Sequence, residues 1–501
     1  MDLVSERQLA QLLATPEGVQ IYQRSAVFLL VKAASEVFPD RRIRIEHSLS
    51  NGLYGEVRGA RPFTMKDAAR LEAAMRAYVA ADLPFRVYQM DREQARAKFE
   101  RAGRGDLARL FATYPKETVP IGECGGYEDF VDGELLPTTG LISQFSLRFY
   151  LPGFILHTPI LQGGSARLPD GAEQPKLASA HLEGSRWLEL LDVRDIGALN
   201  QIALRHEADE LIQIAEALHE KRIGAIAERI ASQRDLRLIL IAGPSSSGKT
   251  TFARRLRTQL RVNGLRPITI SLDDYFLDRE KTPLDADGKY DYESIEALDL
   301  ALFNRHLTEL IQGETVSVPS FNFTTGKREV QGRKLSVEPD QPMIIEGIHG
   351  LNERLTAAVP KRNKFKIYVS ALTHPNVSDH IRIPTRDVRL IRRLVRDHKF
   401  RGSSAEETLN VWPRVRRGEE RNIFPFQGEA DVIFDSALVY ELGALKAEAS
   451  ALLSALPPHT AQRAQADRLS WWLDLCHPID ARFVPPNSIL REFLGGSCYS
   501  D

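Results

Sequence analysis

The chain has 501 residues, 43% of them hydrophobic and 27% charged, with a formal net charge of -1 at pH 7. Such a length exceeds one compact core and predicts two or three domains, and the near-neutral charge argues against a protein built around bulk nucleic-acid or membrane binding. Cys124, Cys476 and Cys498 are far apart and form no C-x-x-C pair, which fits a reducing, cytoplasmic compartment, and no apolar run reaches the roughly 18 residues that span a bilayer.

The start, MDLVSERQLAQLL, lacks the basic-then-apolar pattern of a signal peptide. SAVFLLVKAASEVF (25–38) has helical spacing, RIRIEHSLSNGLYGEVRG (42–59) reads as strand, turn, strand, and Thr64 caps an Ala-rich helix over 64–80. Residues 1–195 are therefore expected to form an α+β domain. Residues 196–235 come next as a bridge of one or two amphipathic helices. Strand and helix patterns then alternate through 236–445: LRLILIAG, a helix over 249–262, PITISLDD, a helix over 294–312, MIIEGIHG, KFKIYVS, an Arg-rich helix over 386–400 and DVIFDSAL. Alternation of this kind predicts an α/β domain with a parallel sheet covered on both faces. The tail, 446–501, is helical, has a Pro-Pro break and ends in VPPNSILREFLGGSCYSD.

Between the first of these strands and its helix lies Gly243-Pro244-Ser245-Ser246-Ser247-Gly248-Lys249-Thr250-Thr251, which fits the P-loop pattern G-x-x-x-x-G-K-[ST]. The glycines let the backbone curl until successive N–H groups face one point, and the next helix adds its positive end. Lys249 brings a point charge to the β- and γ-phosphates, and the Thr250 hydroxyl is of the type that ligates magnesium. The loop is expected to bind ATP.

No N-K-x-D guanine reader is present; the nearest string, NKFK (363–366), lacks the Asp, and no L-S-G-G-Q-like string suggests a transporter ATPase. Instead an acidic pair, Asp273 and Asp274, stands at the end of the second strand. A carboxylate there can take a proton from an acceptor hydroxyl, although such a pair can also cap a turn. Glu346 ends another apolar strand and could bind magnesium. The stretch 382–421 contains eleven arginines, and Arg389, Arg392, Arg393 and Arg396 recur at helical spacing. Beside a P-loop, they suggest a lid that closes over a transferring phosphoryl group.

Residues 236–440 resemble the uridine kinase/phosphoribulokinase family, through GPSSSGKTT, LDDYF, YDYESIEALD (290–299), VPSFNFTTGKR (318–328), IIEGIHGL and DVRLIRRLVRD. The resemblance implies a P-loop kinase that uses ATP and Mg2+, with Asp273 as catalytic base beside Lys249 and with Thr250, Asp273 and Glu346 around the metal. It further implies that Asp291 and Arg389 reach the acceptor, with Tyr275 and Phe321 in the acceptor region, and that Arg392 and Arg396 reach ATP phosphates. Together with the spacing of Ile268, Ile270 and Leu272, it aims Asp273 at the loop and leaves Asp274 to orient the turn that holds Tyr275. One departure matters: the family's Tyr and His in this segment correspond to Phe321 and Gly326, which removes both polar handles for a pyrimidine ring.

Residues 24–187 resemble the second additional (editing) domain of threonyl-tRNA synthetases, through AASEVFP, NGLYGEV, PFTMKDAARLEAAM and ELLPTTG. The family's H-x-x-x-H pair corresponds to Arg24 and Phe28, and its later Cys and His fall near Val131 and Leu135, so the resemblance implies a retained fold with its editing chemistry lost. His47, His157 and His181 are scattered and suggest no metal site. The expected reaction is transfer of the ATP γ-phosphoryl to a hydroxyl of a nucleoside or related sugar-bearing acceptor. The alternative is an ATP-driven switch that contacts tRNA or another RNA; the acceptor's identity and any homo-oligomer stay open.

Overall fold

The computed structural model describes residues 9–499 except 163–164, 170, 286 and 323–324. The first eight residues, and the centre of the FNFTTGKR segment, thus lie outside the described residues. Helix Pro16–Val37 starts at Thr15, whose hydroxyl accepts the Gly18 N–H, and a proline occupies its first turn. It buries Tyr22, Phe28, Leu29 and Leu30 in one core with residues of a four-stranded antiparallel sheet. That sheet runs in the order Arg42–Leu49, Gly52–Arg58, Gly153–His157, Ser146–Tyr150. The expected cap at Thr64 is a full capping box with Asp67, opening helix Met65–Ala81. A second antiparallel sheet, Arg86–Asp91, Thr118–Cys124 and Tyr127–Phe130, accompanies helices Arg92–Arg101 and Gly105–Ala112.

The bridge comprises two helices, Ile196–Leu204 and Ala208–Ala231, separated at His206 with φ +62°. It does not behave as a linker. Phe99, Leu110, Phe111 and Phe130 share one apolar cluster with bridge residues Ile212 and Ile223 and with Phe252 and Phe434 of the second half. A core therefore runs through the boundary expected near residue 195, because the bridge helices bury apolar residues against both sides.

Five parallel strands form the second sheet, in the order Ile268–Ser271, Met343–Glu346, Leu238–Ala242, Lys364–Ser370, Val432–Asp435. Continuous apolar runs such as Leu-Ile-Leu-Ile-Ala suit a strand covered on both faces, and Leu238–Ala242 is buried along its whole length. Two buried lysines of the neighbouring strand, Lys364 and Lys366, both reach Glu353. The helices expected over 249–262 and 386–400 are Lys249–Val262 and Thr385–Arg401. The helix expected from 294 starts at Leu300, because Asp299 caps it by accepting the Leu302 N–H at 3.0 Å. The acidic pair is not on a strand: the strand stops at Ser271, and Leu272–Tyr275 is a 3-10 turn capped by Ser271. No helix among the described residues is long and apolar enough to cross a membrane.

Candidate active site

The P-loop leaves the carboxyl end of the central strand. A Cβ at Gly243 would land on the Val369 carbonyl oxygen, and Gly248 sits at φ +84°, so both glycines are required by geometry. Ser246 is also left-handed, at φ +58°. The Ser246 and Ser247 hydroxyls are buried without a hydrogen-bond partner among the described residues, which suits a cradle awaiting a polar ligand. Lys249 opens the helix and its Nζ donates to the Pro244 carbonyl at 3.2 Å.

Strand register brings the acidic groups to the same edge. Ile241, Glu346 and Ser271 are neighbours across three strands, and the Ser271 hydroxyl donates to Glu346 Oε1 at 3.0 Å. Burial raises the Asp273 carboxyl above its ordinary range against the pull of Lys249, Arg401 and Arg396. Burial, and then the Asp273 charge, push Glu346 up to about 7. Lys249, Asp273 and Glu346 therefore share one electrostatic neighbourhood. Burial, and then the Asp273 charge, raise the Asp274 carboxyl as well, opposed by the Phe321 backbone and Arg333. Glu293, which sequence reasoning passed over within YDYESIE, belongs to the same neighbourhood: burial and Glu419 push it up to about 7, opposed by Arg393 and Lys249.

The Arg-rich helix behaves differently from an open lid. Arg389, expected at the acceptor, is buried in a two-pronged pair with Glu419 (2.6 and 2.7 Å) and donates to the Ser245 carbonyl at 3.0 Å. Arg392, expected on ATP phosphates, is fully buried, bonded to Glu441 and to the Ser436 carbonyl at 2.8 Å. Arg393 donates to Ser245 Oγ at 2.6 Å, and Ser436 Oγ to the Ser247 carbonyl at 2.5 Å. These groups brace the P-loop from behind, since a carboxylate partner is what makes burying a guanidinium tolerable. Arg396 pairs with Asp397 at 2.6 Å while still acting on Asp273. Glu419 lies in the string RRGEER, which reads in sequence as a solvated charge run, and only its burial shows the role.

Two carboxylates of the chain lie on P-loop N–H groups. Ser245 N–H donates to Glu419 Oε1 and Thr251 N–H to Glu492 Oε2, both at 3.0 Å. Despite burial, Arg389 holds Glu419 below the usual carboxylate range. Glu492 comes from the C-terminal segment NSILREFLGGS, whose residues Ile489, Leu490 and Phe493 are buried and whose Ile489 packs against Gly248. The sequence shows that this segment could dock; the structure shows that it docks on the first turn of the P-loop helix.

Of the residues expected at the acceptor, Tyr275 is corrected. It is buried in the core beneath helix Leu300–Ile311, edge-on to Phe303, with its hydroxyl 3.1 Å from His306 Nδ1. Phe321 is buried beside Phe276, ring centroids 5.6 Å apart. Asp291 Oδ1 accepts the Glu293 N–H at 3.1 Å, shaping the turn that carries Glu293. Gly326 has φ +69°, and a Cβ there would stand 2.6 Å from Arg279 Nε, so no His could be accommodated without moving that guanidinium.

In the N-terminal half, Arg24, Phe28, Val131 and Leu135 line one cavity. Arg24 is committed to Asp132 at 2.6 Å. His47 and His181, remote in sequence, stack with ring centroids 3.6 Å apart, and burial lowers both below the ordinary imidazole range. Among the described residues no group of three or more His, Cys, Asp or Glu could hold a metal by itself.

A model of the Phosphoribulokinase / Uridine kinase family matches residues 238–441. The chain is similar to the uridine kinase of Lactobacillus helveticus (strain DPC 4571), with 31% identity over 198 residues, covering 39% of this chain and 84% of that protein. Similarity to the uridine kinase of Deinococcus deserti is 30% over 197 residues, 39% of this chain and 86% of that protein. Over the N-terminal region the chain is similar to a threonine–tRNA ligase of Nitratidesulfovibrio vulgaris, 29% identical over 133 residues, 26% of this chain, and it spans 21% of that protein's length. With its P-loop, its strand-end carboxylates and these matches taken together, the chain belongs to the phosphoribulokinase/uridine kinase family.

Proposed function

We propose that the protein transfers the γ-phosphoryl group of ATP to a hydroxyl of a nucleoside or related sugar-bearing small molecule. The observation that carries this reading is the convergence of Lys249, Asp273 and Glu346 at the carboxyl ends of adjacent parallel strands beside the P-loop. Asp273 takes the proton of the acceptor hydroxyl as that oxygen bonds to the γ-phosphorus and the bond to the ADP oxygen breaks. A carboxyl raised by burial is the stronger proton acceptor for this step. Lys249 offsets charge on the phosphate oxygens. The donor set fits magnesium: two buried, mutually repelling carboxylates and the Thr250 hydroxyl are hard oxygen ligands that gain from a dication. Thr250, Asp273 and Glu346 would hold the ion, with phosphate oxygens and water completing its shell, and when bound it supplies further charge neutralisation. Asp291 and Phe321 are proposed to border the acceptor, and Arg396 to reach the phosphates.

An ATP-consumption screen across nucleosides, pentoses and phosphosugars tests the reading. A sugar-bearing acceptor is expected to stimulate turnover, with uridine and cytidine poor, because Phe321 and Gly326 present no side-chain hydrogen bond to a pyrimidine edge. Uridine preferred over all others by orders of magnitude would overturn the acceptor reading. Tight tRNA binding without any small-molecule turnover would replace the kinase by the ATP switch.

Nucleotide binding meets the tail carboxylate on Thr251 N–H. Glu492→Gln is therefore expected to tighten ATP binding by roughly three- to tenfold, since it removes a negative charge from the helix end that attracts phosphate. Equilibrium titration with ATP checks this; weaker binding would mean that the tail carboxylate helps to build the nucleotide site.

A further inference from the structure

A cavity of about 740 Å3 lies away from the P-loop, between the N-terminal half and the start of the Arg-rich helix. That volume is in the range of small-molecule sites. Its wall is apolar and aromatic on one side, formed by residues such as Phe28, Val31, Phe85, Phe130 and Trp471. The opposite rim is cationic: Arg382, Arg386 and Arg468 all line it.

Of the lining carboxylates, Asp129 and Asp132 are engaged by other groups and Glu134 is exposed. Arg24 is neutralised by Asp132, and His380 is bonded to Asp129. Arg386 and Arg468 share one carboxylate, Asp387, at 3.7 and 3.0 Å, and Asp387 also accepts Trp472 Nε1 at 3.1 Å. The Nε atoms of Arg386 and Arg468 are buried without a hydrogen-bond partner among the described residues. Arg382 donates to the neutral Ser48 hydroxyl at 2.6 Å, and burial together with the adjacent Arg386 pulls its guanidinium down to about 10. The 17-residue helix Thr385–Arg401 also begins here, with Pro384 as its N-cap and no side-chain cap on its N–H groups. Asp387 in the first turn of this helix is thus the carboxylate that faces Arg382, Arg386 and Arg468 together, so three guanidiniums on one side of an apolar cavity share one negative charge.

We propose that this cavity is a binding site for a small organic anion, with an apolar or aromatic body against Phe28, Phe130 and Trp471 and a carboxylate or phosphate head held by Arg382 and Arg386. An occupant would lie about one helical turn from Arg389, whose partners brace the P-loop.

The test uses the full chain and three naphthalene probes of one shape: 1-naphthoate, 1-naphthyl phosphate and the neutral 1-naphthamide. Binding is read by calorimetry and by quenching of tryptophan fluorescence. At least one anion is expected to bind with 1:1 stoichiometry about tenfold or more tighter than the amide, and the stronger of the two identifies the head group. Arg382→Gln/Arg386→Gln should abolish that preference and change amide binding less than about twofold. If the double variant does not melt cooperatively, Arg386→Gln alone should still reduce the preference at least threefold. Leu135→Trp, which fills the cavity, should weaken all three probes. Anion binding should persist in Lys249→Ala, which separates this site from the P-loop. Equal affinity for anions and amide, a preference unaffected by the arginine variants, or anion binding lost in Lys249→Ala would overturn the proposal.

Discussion

Lys249→Ala is expected to lower ATP-dependent turnover by at least about 10²-fold, because a charge acting on the transferring phosphoryl is worth several kcal/mol of barrier. The fold should survive, since Nζ makes one hydrogen bond, to the Pro244 carbonyl of its own loop. Lys249 is also a counter-charge to Asp273, Glu346 and Glu293, three carboxyls that burial raises. Without it their proton affinity rises further in the folded state, so the folded chain holds protons that the unfolded chain has released. Stability of the variant then falls relative to the parent as pH rises from 6 to 8, and is closest to the parent at the acid end, where Glu346 and Glu293 take up protons and need no cation. Turnover assays paired with melting curves at both pH values check the prediction. Turnover within about tenfold of the parent would show that Lys249 does not act on phosphate.

Asp273→Asn is expected to depress kcat by about 10²-fold or more with modest change in ATP affinity, while Asp274→Asn acts mainly through acceptor KM or stability. Asn keeps the shape of the side chain and loses the proton acceptor. The two residues lie on a 3-10 turn, where successive side chains diverge by about 120°, rather than on a strand where they would oppose. Their surroundings differ as well: Lys249, Arg401 and Arg396 oppose the raised Asp273 carboxyl, whereas the Phe321 backbone and Arg333 oppose that of Asp274, which also feels the Asp273 charge. Steady-state kinetics of the two variants decide it. The reverse ranking would move the base to Asp274, and slight, equal effects would leave the chain without an acceptor base.

The chemistry-bearing elements were legible because each is local. Gly243 and Gly248 answer a demand of their own loop, the apolar run 238–242 announces a doubly covered strand, and Thr64 with Asp67 caps a helix within one turn. The parallel sense of the second sheet also came from alternation of strand and helix. Tyr275 illustrates where this stopped. Asp273, two residues before it, feels the charge of Lys249, and the Tyr275 side chain nevertheless goes to Phe303 and His306 in the core.

By itself the sequence determined the P-loop and the parallel character of the second sheet, since a glycine loop and an alternation of strand and helix are written in contiguous residues; the order of the strands within the sheet came from the tertiary structure. The sequence also showed that Arg389, Arg392, Arg393 and Arg396 lie close together around one helix, because helical spacing is local too. Only the tertiary structure decided what Arg389 and Arg392 do, since their partners Glu419 and Glu441 stand 30 and 49 residues away, whereas Arg393 and Arg396 pair with Asp397 of the same helix. The same holds for the core that passes through the bridge, for the tail carboxylate on the P-loop helix, and for the cavity between the halves. A charge or an apolar face is written in the residue, but whether it meets solvent, a carboxylate or another face depends on which surfaces folding brings together.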